Sequence, residues 1–296
     1  MSILLTGANG FLGREISKYL NNQHIVTLSR SEADFAIDLS KMIPEFLPEV
    51  EIVVHAAGKA HSVPKTNVEK QAFFDVNVTG TLNLLKGLES AVLPKSFIFI
   101  STVAVYGADT GTLIPETAPL NAADPYGRSK IEAELIVKDW CKHNKVICTI
   151  LRLPLIAGPN PPGNLRSMIN GIKKGFYFNI DGGKAKKSIV LAEDVSVLIP
   201  VVANIGGIYN LTDGDHPSFK MLSDLIAVQT NKKNPPNIPK WLARLFANVG
   251  DLLGAKAPIN SSKLLKITSD LTFDDSKARQ ILNWHPTTVL TGFKIK

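Results

Sequence analysis

Three observations predict an α/β fold built on a doubly wound parallel sheet with a smaller C-terminal lobe. Short apolar, β-branched runs recur at Ser2 to Thr6, His24 to Ser29, Ile52 to His55, Phe97 to Ser101 and Val146 to Leu153. Segments of helical periodicity lie between them, notably Phe11 to Leu20, Ala72 to Leu88 and Tyr126 to Lys142. The first run also passes directly into a glycine-rich turn. Strands that alternate with helices are joined by crossovers, which makes neighbouring strands parallel and covers both faces of the sheet.

The opening run leads into Thr6-Gly7-Ala8-Asn9-Gly10-Phe11-Leu12-Gly13, followed by a helix. Glycines suit this place because the turn is tight, the backbone must approach a pyrophosphate, and the helix must pack closely on the strand. Gly7, Asn9, Gly10, Phe11, Leu12 and Gly13 are therefore candidate dinucleotide-binding residues of a Rossmann-type sheet, with the phosphates at the helix N-terminus. The second run ends in Ser29-Arg30-Ser31 rather than in an acid. An Asp or Glu there accepts the adenosine ribose hydroxyls of NAD, whereas Arg beside small hydroxyl residues accommodates a 2′-phosphate. Ser29 and Arg30 thus favour NADP(H), with NAD(H) possible if Arg30 is a solvated loop residue. Asp38-Leu39 and Ala56-Ala57-Gly58 each follow an apolar run, at strand ends where ligands of open α/β sheets bind.

The run Phe97 to Ser101 is followed by Thr102, and Tyr126 and Lys130 stand four apart, on one face of a helix. A phenol has a pKa of about 10, so serving as a base near neutrality requires lowering it by about 3 units, roughly 4 kcal/mol. A neighbouring ammonium favours the phenolate. Thr102, Tyr126 and Lys130 are the catalytic candidates, with Thr102 and Tyr126 also facing substrate. A serine nucleophile elbow, an H-E-x-x-H pair and a Walker lysine are all missing from the sequence.

Beyond Gly158 the alternation becomes irregular, with Pro154 and Pro159 breaking the last strand run, and Pro235, Pro236 and Pro239 forming a stiff connector. The expected division is a dinucleotide-binding domain over 1–160, with later strands returning to its sheet, and a mainly substrate-binding lobe over 161–296. Trp241 to Leu253 carries apolar residues at 241, 242, 245, 246, 249, 252 and 253, one helix face, expected to lie in the core or form a lid, with membrane-surface binding the alternative.

With 296 residues and 45% hydrophobic content the chain can bury a full core, which argues against disorder. Its two cysteines, Cys141 and Cys148, form no C-x-x-C pair and have no histidine at ligand spacing, so no metal is expected. The N-terminus has no signal-peptide pattern, and no run approaches the roughly 18 apolar residues of a membrane span. A cytoplasmic location is expected. The formal charge of +7 is spread along the chain without a basic stripe interleaved with aromatics, which disfavours nucleic acid and suits an anionic small molecule.

These motifs resemble those of the extended short-chain dehydrogenase/reductases, in their sugar-nucleotide epimerase, dehydratase and reductase group. The resemblance runs through the glycine turn, His55-Ala56-Ala57-Gly58, Asn77-Val78-Thr79-Gly80-Thr81, Ser101-Thr102-Val103-Ala104-Val105-Tyr106-Gly107 and Tyr126-Gly127-Arg128-Ser129-Lys130. It implies Thr102 rather than Ser101 as the catalytic hydroxyl, a cofactor-side place for Asn77 and Pro154, and contact of Lys130 with the nicotinamide ribose. It also implies that Asn164, Leu165 and Lys187 lie at a nucleoside-diphosphate pocket, and that a homodimer can form through the helix bearing Tyr126. Many relatives carry arginine where this chain has Lys187, and lysine lacks the two-pronged contact. The implied activity is hydride transfer at C4 of a nucleotide sugar, UDP-linked for preference. A 4-ketoreductase in surface-polysaccharide sugar synthesis is favoured by Ser29-Arg30; an NAD-retaining 4-epimerase is the alternative. Dehydration ranks third, because Val103-Ala104 stand where an Asp-Glu pair is needed. The rival outside enzymology is a dinucleotide sensor, which has no need of Tyr126 and Lys130.

Overall fold

The computed structural model describes residues 1–60, 62–253 and 260–295, with side chains in the helix that ends at residue 253 described as far as residue 251. In chain order the first half contains β1 (Ser2–Thr6), α1 (Phe11–Tyr19), β2 (His24–Ser29), β3 (Phe35–Ala36), β4 (Ile52–His55), α2 (Asn67–Phe74), α3 (Gly80–Glu89), β5 (Ser96–Thr102), β6 (Gly111–Ile114), α4 (Pro125–Asn144), β7 (Ile147–Leu153) and β8 (Leu155–Ala157). The second half contains α5 (Gly163–Lys174), β9 (Asn179–Ile180), β10 (Ile189–Leu191), α6 (Ala192–Val202), β11 (Gly207–Asn210), α7 (Phe219–Gln229), β12 (Asn237–Ile238), α8 (Lys240–Leu253), α9 (Ser261–Thr268), β13 (Leu271–Phe273), α10 (Ser276–Leu282) and α11 (Val289–Gly292).

Seven strands form one sheet in the order β11-β7-β5-β4-β1-β2-β3, and every pairing is parallel. Burial on both faces explains why the strands read as continuous apolar runs rather than alternating ones. In β1, Ile3 and Leu5 pack with Ile16, Val195 and Ile199 of α1 and α6, while Leu4 faces Leu84, Leu88 and Val137 of α3 and α4. Strand β11 and helices α6 and α10, all beyond residue 160, close this first core. A separate cluster joins α5, α7 and α11 around Leu165, Ile169, Leu222, Ile226 and Phe293.

Two elements differ from expectation. The helix expected over Ala72 to Leu88 starts earlier, at Asn67, because Thr66 and Glu69 form a reciprocal capping box, and a π-helical turn, Asp75–Thr79, interrupts it. The segment from Trp241 is helical, but its large apolar residues Trp241, Leu245, Phe246 and Val249 do not enter the core. Ala243 and Ala247, whose small side chains permit close approach, are the buried residues, packed with Leu264, Ile180 and Ile238. The side chains of Leu252 and Leu253 lie outside the described residues.

Candidate active site

The ends of the parallel strands gather the predicted residues along one edge of the sheet. At the end of β1, Gly7 has φ +71° and its N–H donates to Leu28 O at 2.9 Å. A Cβ on Gly7 would stand 2.6 Å from Ala57 N, and one on Gly13 would stand 2.2 Å from Gly7 O. The turn, the start of α1 and the Ala56–Gly58 loop are thus in backbone contact, and only hydrogen fits at either position. Gly10 caps α1 without a side chain, so the first-turn N–H groups of Phe11, Leu12 and Gly13 are left for an anion. Leu12 is buried and Phe11 packs against the same core, so both offer a ligand their backbone. This cradle fits a dinucleotide pyrophosphate.

The ribose side is fixed by Asn9, whose N–H donates to Ser29 Oγ at 3.4 Å and whose Nδ2 donates to Ser31 O and Glu32 O. Arg30 is exposed in this loop. The two nearby aspartates are already engaged. Asp34 accepts from Thr27 N at 2.8 Å and Thr27 Oγ1 at 2.7 Å. Asp38 accepts from Ser40 Oγ at 2.6 Å, and that bond, chiefly, holds its carboxyl below the usual range. Leu39 is buried, and its carbonyl accepts from Asn83 Nδ2 at 2.8 Å.

His55 ties the cradle to the helical layer. Thr81 Oγ1 donates to Asn77 O at 2.6 Å, so at 3.0 Å it must accept from His55 Nε2–H. His55 Nδ1 then accepts from the Thr6 hydroxyl at 2.6 Å, and Thr6 Oγ1 in turn accepts from Ala57 N at 3.2 Å. Burial, with the Lys130 charge adding to it, keeps the ring neutral by lowering its pKa to about 3. Asn77, in the π-helical turn, receives Lys59 N at 2.7 Å and donates to Lys59 O at 3.1 Å and Ser129 Oγ at 2.9 Å. It therefore clamps the loop after Gly58 to the helix that carries Tyr126.

That helix, α4, begins where Asp124 caps Gly127 N at 3.0 Å with Pro125 in its first turn. Tyr126 and Lys130 project from its first two turns beside the end of β5. The Tyr126 phenol lies beside Thr102, whose hydroxyl pulls its pKa down, and Thr102 Oγ1 accepts Ala104 N at 3.2 Å. Lys130 Nζ donates to Ile100 O at 2.7 Å and lies 3.9 Å from the centre of the Phe99 ring. Burial lowers its pKa to about 7, against a smaller opposing pull from Glu134. Burial raises the Tyr126 pKa, and only Thr102 opposes it. The expected depression of the phenol by Lys130 is therefore not produced by the fold, because the ammonium is turned to the β5 carbonyl.

A buried network that sequence reasoning missed supports this edge. Ser101 is buried and donates to Glu134, so it is not free for substrate, and the half-buried Thr102 is the more accessible hydroxyl of the pair. Arg152 pairs with Glu134 through Nη2–Oε2 at 2.7 Å and Nε–Oε1 at 3.1 Å, and donates through Nη1 to Tyr106 OH at 3.0 Å. Tyr106 donates to Asn210 Oδ1 at 2.8 Å. The network joins α4, β7 and β11 beneath Thr102. Its one signal in the sequence is a carboxylate at 134, four residues beyond Lys130 on the same helix face.

The substrate-side residues are less closely gathered. Pro154 is half-buried at the end of β7. Asn164 is exposed on the first turn of α5, while Leu165 is buried in the lobe core and offers only its backbone. Lys187 Nζ donates to Ser269 O at 3.0 Å beside the Phe219 ring.

The model of the NAD dependent epimerase/dehydratase family matches residues 3–211. The chain is 29% identical to a UDP-glucose 4-epimerase of Vibrio cholerae, across 99% of this chain and 93% of that protein. It is 28% identical to an N-acetyl-alpha-D-glucosaminyl-diphospho-ditrans,octacis-undecaprenol 4-epimerase of Escherichia coli O157:H7, across 93% and 88%. In fold it is similar to the UDP-glucose 4-epimerase of Thermotoga maritima solved with UDP-glucose, with a TM-score of 0.75 at 21% identity over 99% of this chain and 96% of that one. The match spans well over half of the sequence and contains the glycine cradle, Thr102, Tyr126 and Lys130, so the chain belongs to the NAD-dependent epimerase/dehydratase family.

Proposed function

We propose that the protein is an NADPH-dependent 4-ketoreductase of a diphosphate-linked sugar, with a UDP-sugar as the preferred class. The observation that carries this reading is Tyr126 next to Thr102 at the edge of a cradle whose β2 ends in Ser29 and the exposed Arg30, where the nearby Asp34 and Asp38 are already hydrogen-bonded. A bound nicotinamide supplies the hydride that reaches the C4 carbonyl carbon. Tyr126 gives its proton to the carbonyl oxygen, and a phenol with a raised pKa is in the form this direction requires. Thr102 fixes that oxygen by hydrogen bonding, and Lys130, its ammonium turned to the Ile100 carbonyl, serves the nicotinamide ribose. Gly7, Asn9, Gly10, Gly13, Ala57 and Asn77 hold the cofactor, with Ser29 and Arg30 at its adenosine ribose. Asn164, the Leu165 backbone and Lys187 serve the diphosphate side.

A second reading, an NAD-retaining 4-epimerase, is supported by the names of both relatives, each a 4-epimerase. The same residues serve it, with Tyr126 taking a proton first and returning it later. Dehydration is not favoured, since Val103 and Ala104 offer no group to move a ring proton.

The two readings separate on the cofactor carried by protein purified without added nucleotide and on titration with NAD and NADPH. An empty site that prefers NADPH supports the reductase; tightly held NAD supports the epimerase. In either case Tyr126→Phe is expected to lower turnover by about 10²- to 10⁴-fold with cofactor affinity unchanged. Unchanged turnover would remove Tyr126 from the chemistry, and a protein without turnover on any such sugar would return the sensor reading.

A further inference from the structure

Two arms of hydrogen bonds meet at His55, and the direction of each bond in them is fixed. The Ala57 N–H donates to Thr6 Oγ1 at 3.2 Å, and the Thr6 hydroxyl donates to His55 Nδ1 at 2.6 Å. On the other side His55 Nε2–H donates to Thr81 Oγ1 at 3.0 Å, and the Thr81 hydroxyl donates to Asn77 O at 2.6 Å. A neutral ring with its hydrogen on Nε2 satisfies this order, and a charged ring, with hydrogen on both nitrogens, does not. Thr6, His55, Asn77 and Thr81 are buried, so a broken bond leaves a polar group without solvent to replace its partner. Phe97 and Phe99 flank the ring, with centroids 6.0 and 5.7 Å away.

The arms end on different parts of the site. Ala57 lies against the glycine turn, where a Cβ on Gly7 would stand 2.6 Å from Ala57 N. Asn77 lies in the π-helical turn between α2 and α3, a distortion that is frequent at functional sites. Its Nδ2 donates to Ser129 Oγ at 2.9 Å, and the Ser129 hydroxyl donates to Tyr126 O at 2.8 Å. The backbone of Tyr126 is thereby joined to the cofactor cradle through β1, β4 and the helical layer.

We propose that His55 is a positioning residue, which couples the cradle at Gly7 to the first turn of α4 and so keeps the Tyr126 hydroxyl in register with a bound nicotinamide. Buried beneath the cradle, it acts through Thr6 and Thr81 rather than on a ligand. This role rests on the proton transfer proposed above for Tyr126.

His55→Leu removes both arms, Thr81→Val removes the hydroxyl that reaches Asn77, and His55→Gln retains a donor and an acceptor. With cofactor and sugar saturating, His55→Leu and Thr81→Val are expected to lower kcat by about 10- to 100-fold, the loss that a misplacement of about 1 Å produces, with KM for the sugar nearly unchanged. The double variant should lose no more than His55→Leu alone, and His55→Gln should recover most of the rate. Amide deuterium exchange of the ligand-free protein gives a readout independent of turnover. In both variants residues 126–131 should exchange about five- to tenfold faster, the effect of one buried hydrogen bond lost from those opposing local opening. The amides of α6, on the other face of the sheet, should be unchanged and serve as the control for global unfolding.

Where Tyr126→Phe has lost turnover, an unchanged kcat in both variants with only a lowered Tm overturns the proposal, as do losses that multiply in the double variant. Faster exchange confined to residues 55–58 and 77–81 overturns it as well. Turnover that Tyr126→Phe leaves intact would sink the proposed chemistry instead, and the exchange over 126–131 would then decide by itself whether His55 couples the cradle to α4.

Discussion

Replacing Lys130 with methionine should stabilise the protein while abolishing its chemistry. The Lys130 ammonium is buried, and its pKa falls from 10.5 to about 7. In the unfolded chain it titrates at its ordinary value, so between pH 7 and 10.5 the unfolded state binds the extra proton and stability rises with pH, by about 1.4 kcal/mol per unit. At pH 7 the fold consequently bears a penalty of about 4 kcal/mol relative to a side chain that never charges. Methionine keeps the length and removes the charge, but it leaves Ile100 O without its 2.7 Å donor, which costs about 1–3 kcal/mol. The net expectation at pH 7 is a gain of about 1–3 kcal/mol, several degrees in Tm. Urea denaturation of both proteins at pH 7 and 9.5 tests this. Near pH 9.5 the penalty shrinks to about 1.4 kcal/mol, so the lost hydrogen bond should cancel or reverse the advantage. A variant less stable than the parent at pH 7, with a gap that does not change with pH, would refute the assignment of a strained charge at this position. The confirmed result would mean that the site retains an ammonium the fold would be more stable without, as functional residues often require.

Two further substitutions probe the scaffold. Gly13→Ala places a Cβ 2.2 Å from Gly7 O, so the turn must open; cofactor affinity measured by fluorescence titration should fall at least about tenfold with a lowered Tm, and normal binding would contradict the cradle geometry. Arg152→Met leaves Glu134 charged and buried, and should cost about 3–5 kcal/mol in chemical denaturation. Adding Glu134→Gln should recover much of that loss, and a loss under about 1 kcal/mol for Arg152→Met alone would mean the pair does not brace the site.

The order of strands and helices was legible because burial on both faces of a parallel sheet writes itself as apolar runs, and helices facing that sheet repeat their apolar residues every three to four positions. The glycine cradle was legible for a local reason as well: Gly7, Gly10 and Gly13 answer to backbone conformation and contacts a few residues away. The four-residue spacing of Tyr126 and Lys130 sufficed to put them on one helix face. What the ammonium does there was not legible, since its hydrogen bond to Ile100 and its contact with Phe99 belong to a strand some thirty residues earlier in the chain. The same holds for the His55 relay through Thr6 and Thr81 and for the Ser101–Glu134–Arg152–Tyr106–Asn210 network, each assembled from several elements. Helix α8 shows the limit most plainly. Its period marks an apolar arc, but which arc meets the protein depends on how closely the helix can approach Ile180, Ile238 and Leu264, and there the small side chains of Ala243 and Ala247 won. Local pattern determined the elements and the cofactor turn; partners distant in sequence decided protonation, bracing and the direction each face points.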